Sequence, residues 1–331
     1  MSPLEQRYRR LLAWLPEPAR SRWTEDMVGT YLETATAEDP EYAEYGSPST
    51  ADRWDVARLA VGLRLGAPGA SLRGVATGRA LRLVALAGTT VLATQALLGL
   101  VATAWLYGRL PLVPAPTLNG DEPVTWDLRS ATIVALDLVV VALLAALLRG
   151  AAAARPLAAA ALAGQALLVA TAPPPGPWTG WLAGLPAFVP LLAAVAVPAE
   201  PVRPRPWWLL ALPLSTIAVS AAAFAPGRLV GWLAALAQPP VQGAFVVAVA
   251  AAVLLTRRRP ARGPAELATG VLAVAVVPGL GALLPIDTVP GFTPVVLAAL
   301  VTSAVVAVLC GTAALRALTA LPEATAGEQL P

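Results

Sequence analysis

Polar and apolar residues along this chain are segregated on two different length scales. Up to about residue 80 they alternate every three or four positions, which is the spacing of one face of a helix. Beyond that, from Leu83 to Leu318, they form long apolar runs separated by short polar connections. The first pattern predicts amphipathic helices in water, and the second predicts helices in a bilayer.

In the first part, Leu4, Tyr8, Leu11, Leu12 and Leu15 share one face. Ser2 is placed to cap this helix, Pro3 falls in the first turn where no N–H is needed, and Pro16 and Pro18 end it. Trp23, Met27, Tyr31 and Leu32 make a second stripe, which stops before the polar stretch Thr36–Ser49. Val56, Leu59, Ala60 and Leu63 make a third, opened by Ser49 or Thr50 and closed by Gly66-Ala67-Pro68-Gly69. Three short helices are expected to bury these stripes against one another or against the membrane part, with Trp14, Trp23 and Trp54 at least partly covered.

In the second part, the candidate spans are Leu83–Tyr107, Ala131–Leu148, Pro156–Ala172, Trp181–Ala199, Trp207–Ala225, Pro239–Thr256, Ala265–Leu284 and Pro294–Leu318. A hydrocarbon core takes about 20 apolar residues in helical form. The predicted fold class is therefore all-α, a polytopic bundle of about eight transmembrane helices with a small N-terminal cytoplasmic helical domain. The organisation predicted is a three-helix headpiece over 1–79, the bundle over 80–320 and a cytoplasmic tail over 321–331. Pro186, Pro190, Pro213 and the run Val277-Pro278-Gly279-Leu280-Gly281 interrupt the spans. They read either as ordinary kinks or as the broken helices that mark transport sites. Gly108-Arg109-Leu110 is echoed by Gly227-Arg228-Leu229, and Pro175-Gly176-Pro177 by Pro290-Gly291, as a four-plus-four duplication would produce.

Composition agrees with a membrane protein: 57% of residues are hydrophobic and 13% charged, against about 25% charged in soluble domains. Every basic residue is Arg. Alternate connections carry Arg149 and Arg155, then Arg203 and Arg205, then Arg257, Arg258, Arg259 and Arg262. The intervening ones hold only Arg109, Arg129 and Arg228. This asymmetry is the positive-inside pattern and places both termini in the cytoplasm, with the plasma membrane as the location. Trp105, Trp126, Trp178, Trp181 and Trp232 then fall at the outer edge and Trp207 and Trp208 at the inner edge, the headgroup levels that indoles favour. A pI near 9.5 follows from this topology and does not call for nucleic acid. The first 82 residues are too charged for a signal peptide, so the first span is expected to be an uncleaved anchor.

Chemistry is sparse. The chain has no His, and its single cysteine, Cys310, lies inside the last span. The usual general base, Schiff-base lysine and thiolate are therefore missing, as are a phosphate-binding Gly-rich motif and a Gly-x-Ser-x-Gly elbow. No catalytic residue, metal site or cofactor is expected, and the chain is read as a non-enzyme. One residue stands apart. Asp137, in the run TIVALDLVVVALLAALL, lies inside a span, where a carboxylate costs roughly 2.5–3.5 kcal/mol. It should face the bundle interior, with Gln95 and Gln165 of the neighbouring helices as hydrogen-bond partners. Two roles fit: a proton-coupled or ligand-contacting site, or a structural polar clamp.

The opening segment carries a resemblance. Tyr8–Leu12 (YRRLL), Pro16, Trp23 followed by Glu25-Asp26-Met27, and Gly62–Leu65 (GLRL) resemble the cytoplasmic start of many actinobacterial multi-pass membrane proteins. The set is similar to HAAS-type helical domains, which often occur beside PadR-like transcription regulators. The resemblance covers about the first 70 residues and implies signalling or regulation through a cytoplasmic partner rather than a reaction. The alternative is a secondary transporter or the membrane subunit of a multi-component exporter.

Overall fold

The computed structural model describes residues 1–37, 39–109, 127–171, 177–197, 213, 214, 217, 239–256, 263–283 and 292–321. Among them the secondary structure is entirely helical. The helices are α1 (Pro3–Leu12), α2 (Glu17–Ala35), α3 (Tyr42–Tyr45), α4 (Thr50–Arg64), α5 (Leu72–Leu106), α6 (Leu128–Arg149), α7 (Ala154–Ala170), α8 (Pro177–Ala196), α9 (Pro239–Thr256), α10 (Gly263–Leu283) and α11 (Phe292–Thr319). The chain divides into two compact units, Met1–Ala80 with the stretch that begins at Leu315, and Leu81–Ala314.

In the first unit the three stripes meet. Tyr8, Leu11, Leu12, Leu15, Val28, Val56, Ala60 and Leu63 form one buried cluster, with Trp23, Met27, Tyr31, Leu32 and Leu59 packed against it. Helix ends are chemically closed. The Ser2 hydroxyl accepts from the Glu5 N–H at 3.1 Å, with Pro3 in the first turn of α1. Ser49 and Asp52 close a reciprocal capping box at the start of α4. Polar side chains then tie the helices together. Arg9 bridges Glu5 on its own helix and Glu25 on α2, and Arg7 donates to the carbonyls of Tyr45 and Gly46. Tyr8 and Tyr31 stack with ring centroids 3.9 Å apart. The indoles divide differently from the expectation. Trp23 is partly buried, but Trp54 is 72% exposed and Trp14 49% exposed. Trp54 lies on the side of α4 away from Val56, Ala60 and Leu63, so burying that stripe turns the indole outward.

Among the described residues, four helices are long and apolar enough to cross a membrane: α5, α6, α10 and α11. Helices α7, α8 and α9 hold shorter apolar stretches, Ala154–Ala170, Gly184–Ala196 and Pro240–Ala252. Of the expected eight spans, the fifth lies outside the described residues except at 213, 214 and 217. The loop arginines Arg203, Arg205, Arg228, Arg257, Arg258, Arg259 and Arg262 lie outside them, as do Gly227-Arg228-Leu229 and Pro290-Gly291, the second members of the two sequence echoes. Helix α5 begins well before the expected span and has 35 residues, about 50 Å at ~1.5 Å per residue. That exceeds a hydrocarbon core of about 30 Å, so the turns bearing Arg73, Arg79 and Arg82 are surplus to a crossing. Both α5 and α6 end in a left-handed glycine: Gly108 at φ 64° and Gly150 at φ 65°. The following N–H groups reach back to Ala104 (2.7 Å) and Ala146 (2.9 Å), satisfying carbonyls the helix leaves open.

Arg129, at the start of α6, donates to the Thr171 carbonyl just past α7, and Arg155, at the start of α7, to the Val197 carbonyl just past α8. Helices α6, α7 and α8 thus run as successive antiparallel neighbours. Helix α8 packs on α10, and α10 on α9. Val241, Ala244, Val276, Leu280 and Val296 form one core cluster of α9, α10 and α11, and Val247, Ala251, Ala273 and Val306 a second. The opposite face of α11 presents Leu297, Val301, Val305, Val308 and Leu309 outward, an apolar surface suited to lipid rather than water. This is a membrane protein built of helices.

The prolines do not break their helices. Helix α8 runs through Pro186 and Pro190, and α10 through Pro278. The Pro190 ring instead lies where a neighbour has room: a Cβ on Gly88 of α5 would fall 2.2 Å from Pro190 Cγ. Small residues of this kind let membrane helices approach closely.

Candidate functional site in the bundle cavity

Two sets of polar groups stand out in the bundle. Thr89, Thr90 and Thr94 are buried on α5 but are satisfied by their own helix. Thr90 donates to the Leu86 carbonyl at 2.7 Å and Thr94 to the Thr90 carbonyl at 2.8 Å, and Thr89 turns likewise to Ala85. Such back-bonding commits the hydroxyl donor to the helix itself.

The second set surrounds a cavity of about 400 Å³ lined by α5, α6, α7, α8, α9 and α10. Gln95, Asp137 and Gln165, singled out in the sequence, all line it, from α5, α6 and α7 respectively. The rest of the wall is apolar or small, including Ala96, Gly99, Pro186, Gly243, Val247 and Val276.

The partners differ from those expected. Gln95 Nε2 donates to Gln242 Oε1 of α9 at 2.9 Å, so this amide pairs with a second glutamine and not with the carboxylate. Asp137 rests against α5 one turn further on, where a Cβ added to Gly99 would lie 2.9 Å from Asp137 Oδ2. Glycine at 99 therefore leaves the space that the carboxylate occupies. Neither Asp137 nor Gln165 makes a hydrogen bond or ion pair with another described residue. No arginine lines the cavity, and the chain has no Lys or His to supply a cation elsewhere. A polar group left unpaired in a protein interior costs about 1–3 kcal/mol, more if charged.

Sequence reading missed Gln242 and Gly99. Gln242 carried the same signal as Gln95, a lone amide in an apolar run, but near a span end it reads as an interfacial residue. Gly99 lies four residues after Gln95 and so on the same helix face, which becomes informative only once α6 is known to lie across it. Among the described residues no group of three or more His, Cys, Asp or Glu side chains is arranged to hold a metal ion. The unit thus offers an apolar chamber with one carboxylate and one free amide, an arrangement suited to binding.

No family model matches this chain, and no curated protein or solved structure is similar to it.

Proposed function

We propose that this chain is a multi-pass plasma-membrane protein of signalling or regulatory type, without catalytic activity. Its eight spans place both termini in the cytoplasm, and its headpiece, residues 1–79, contacts a cytoplasmic protein, for which the HAAS-type resemblance suggests a PadR-like regulator. The observation that carries this reading is the outer face of α4. Trp54 and Val61, two turns apart on one side of the helix, are 72% and 53% exposed although the headpiece has a complete core of its own. An exposed apolar patch on a folded surface is a candidate contact site, and Trp is enriched where partners bind most tightly. Placing both termini on one side is supported by the first unit itself, where Arg73 donates to the Thr319 carbonyl at 3.3 Å at the end of the last helix.

The test is a strain carrying Trp54→Glu with Val61→Glu, compared with a strain lacking the gene. Both positions are exposed, so the headpiece should stay folded and the protein should reach the membrane at normal levels. Regulation through the headpiece requires the double variant to reproduce the transcript changes of the deletion. A wild-type transcript profile in the double variant, or no change on deletion, refutes it. A second reading, a secondary transporter or the membrane subunit of an exporter, is favoured by the unpaired Asp137 and Gln165 in the cavity. In that case the deletion alters solute flux and the headpiece variant does not.

A further inference from the structure

We infer that the bundle cavity is a binding site for a small organic monocation, a protonated primary amine on a compact apolar body, with Asp137 as its counter-charge. The inference concerns the cavity alone and does not rest on the headpiece reading.

Three observations select this ligand class. The cavity, at about 400 Å³, falls within the range of roughly 300–1,000 Å³ typical of small-molecule sites. Its wall is mostly Ala, Gly, Val, Leu and Pro, with Gln95, Asp137 and Gln165 as the polar members. A sugar or peptide would leave many of its own donors and acceptors unpaired against such a wall. The charge at the site is a single carboxylate with no basic side chain in the lining, so an anion is repelled and a monovalent cation is complementary. A bare metal ion suits the site poorly. Hard cations take about six oxygen ligands, whereas the wall offers four, the two of Asp137 and the amide oxygens of Gln95 and Gln165, the Gln95 bond to Gln242 being made through its Nε2. An ammonium group has three donors and can bond to these acceptors while its hydrocarbon part lies against the apolar wall. Gly99 allows the carboxylate to sit close to α5, and occupation by an ammonium removes the cost of an unpaired carboxyl in the bilayer.

The test uses phenethylamine, cationic near neutral pH, and phenethyl alcohol, a neutral molecule of nearly the same shape. Both are titrated calorimetrically into the full chain in lipid nanodiscs, with empty nanodiscs subtracted. Wild-type protein is expected to bind the amine saturably at one site per chain, about tenfold or more tightly than the alcohol. Asp137→Asn keeps the size and hydrogen-bonding capacity of the side chain and removes its charge. In that variant the amine should fall to the level of the alcohol. Equal affinity of the two compounds for wild-type protein, saturable binding of neither, or an amine preference that survives Asp137→Asn would overturn the inference. If the variant does not insert and fold, the wild-type comparison still decides. Failure here leaves the headpiece result untouched, and failure of the Trp54 and Val61 test leaves the amine result untouched.

Discussion

The closest backbone approach at a glycine in the first unit is at Gly78, and it makes a sharp prediction. Gly74 and Gly78 lie one turn apart on α5, and the end of α4 comes down on them. A Cβ built on Gly74 would be 2.4 Å from the Leu63 carbonyl oxygen. One built on Gly78 would be 2.0 Å from the Leu65 carbonyl oxygen and 2.8 Å from its carbon. An ordinary carbon–oxygen contact is about 3.3 Å or more, so Gly78→Ala requires these backbones to separate by about 1.3 Å. No flexible side chain can absorb that movement. Overpacking of this kind costs about 1–3 kcal/mol. The gain in helix propensity from Gly to Ala returns about 1 kcal/mol. The net expectation is a loss of up to about 2 kcal/mol, as much as a thirtyfold change in the folded ratio by order of magnitude. Gly29, in the middle of α2 in the same unit, has nothing within 4 Å of the place a Cβ would take. There only the propensity gain operates, so Gly29→Ala should stabilise by about 0.5–1 kcal/mol. The assay is amide hydrogen exchange over residues 50–64 in the intact protein, which reads opening of the first unit without interference from the bundle. Gly78→Ala should speed exchange there and Gly29→Ala should slow it. Unchanged exchange in Gly78→Ala, or a shift of both variants in the same direction, would refute the packing argument.

Two further outcomes follow from the headpiece and the topology. Burial first, and the Asp52 carboxylate second, push the Tyr31 hydroxyl up to about 12 from an ordinary value of 10.0. The unfolded chain therefore ionises before the folded one, so this contribution is intact below about pH 10 and is lost as pH rises towards 12. Difference titration of wild type against Tyr31→Phe, followed by tyrosinate absorbance, should show the Tyr31 step well above that of a free tyrosine; a step at the ordinary value would refute it. For topology, a reporter active only outside the cell should be silent when fused to the C-terminus and active when inserted within Gly108–Ser130, and the reverse pattern would reject the cytoplasmic termini.

Sequence alone determined that the chain is helical, that a charged, amphipathic opening gives way to membrane helices, and which face of each headpiece helix enters a core. In water a helix exposes one face and buries another, so the three-to-four-residue periodicity of Leu4, Tyr8, Leu11 and Leu12 records its own burial. It also singled out Gln95, Asp137 and Gln165, which line one cavity, because a polar side chain within an apolar run is conspicuous wherever it points. The tertiary structure alone decided the partners. Gln95 pairs with Gln242, 147 residues away, and not with Asp137. Asp137 lies against Gly99, and Pro190 against Gly88. Trp54 turns outward because the buried stripe of Val56, Ala60 and Leu63 is on the other side of α4. The reason is the solvent. In a bilayer the lipid-facing and helix-facing sides of a span are equally apolar, so hydrophobic periodicity no longer distinguishes them. Which sides meet is settled by close fit at small residues and by hydrogen bonds between helices distant in sequence.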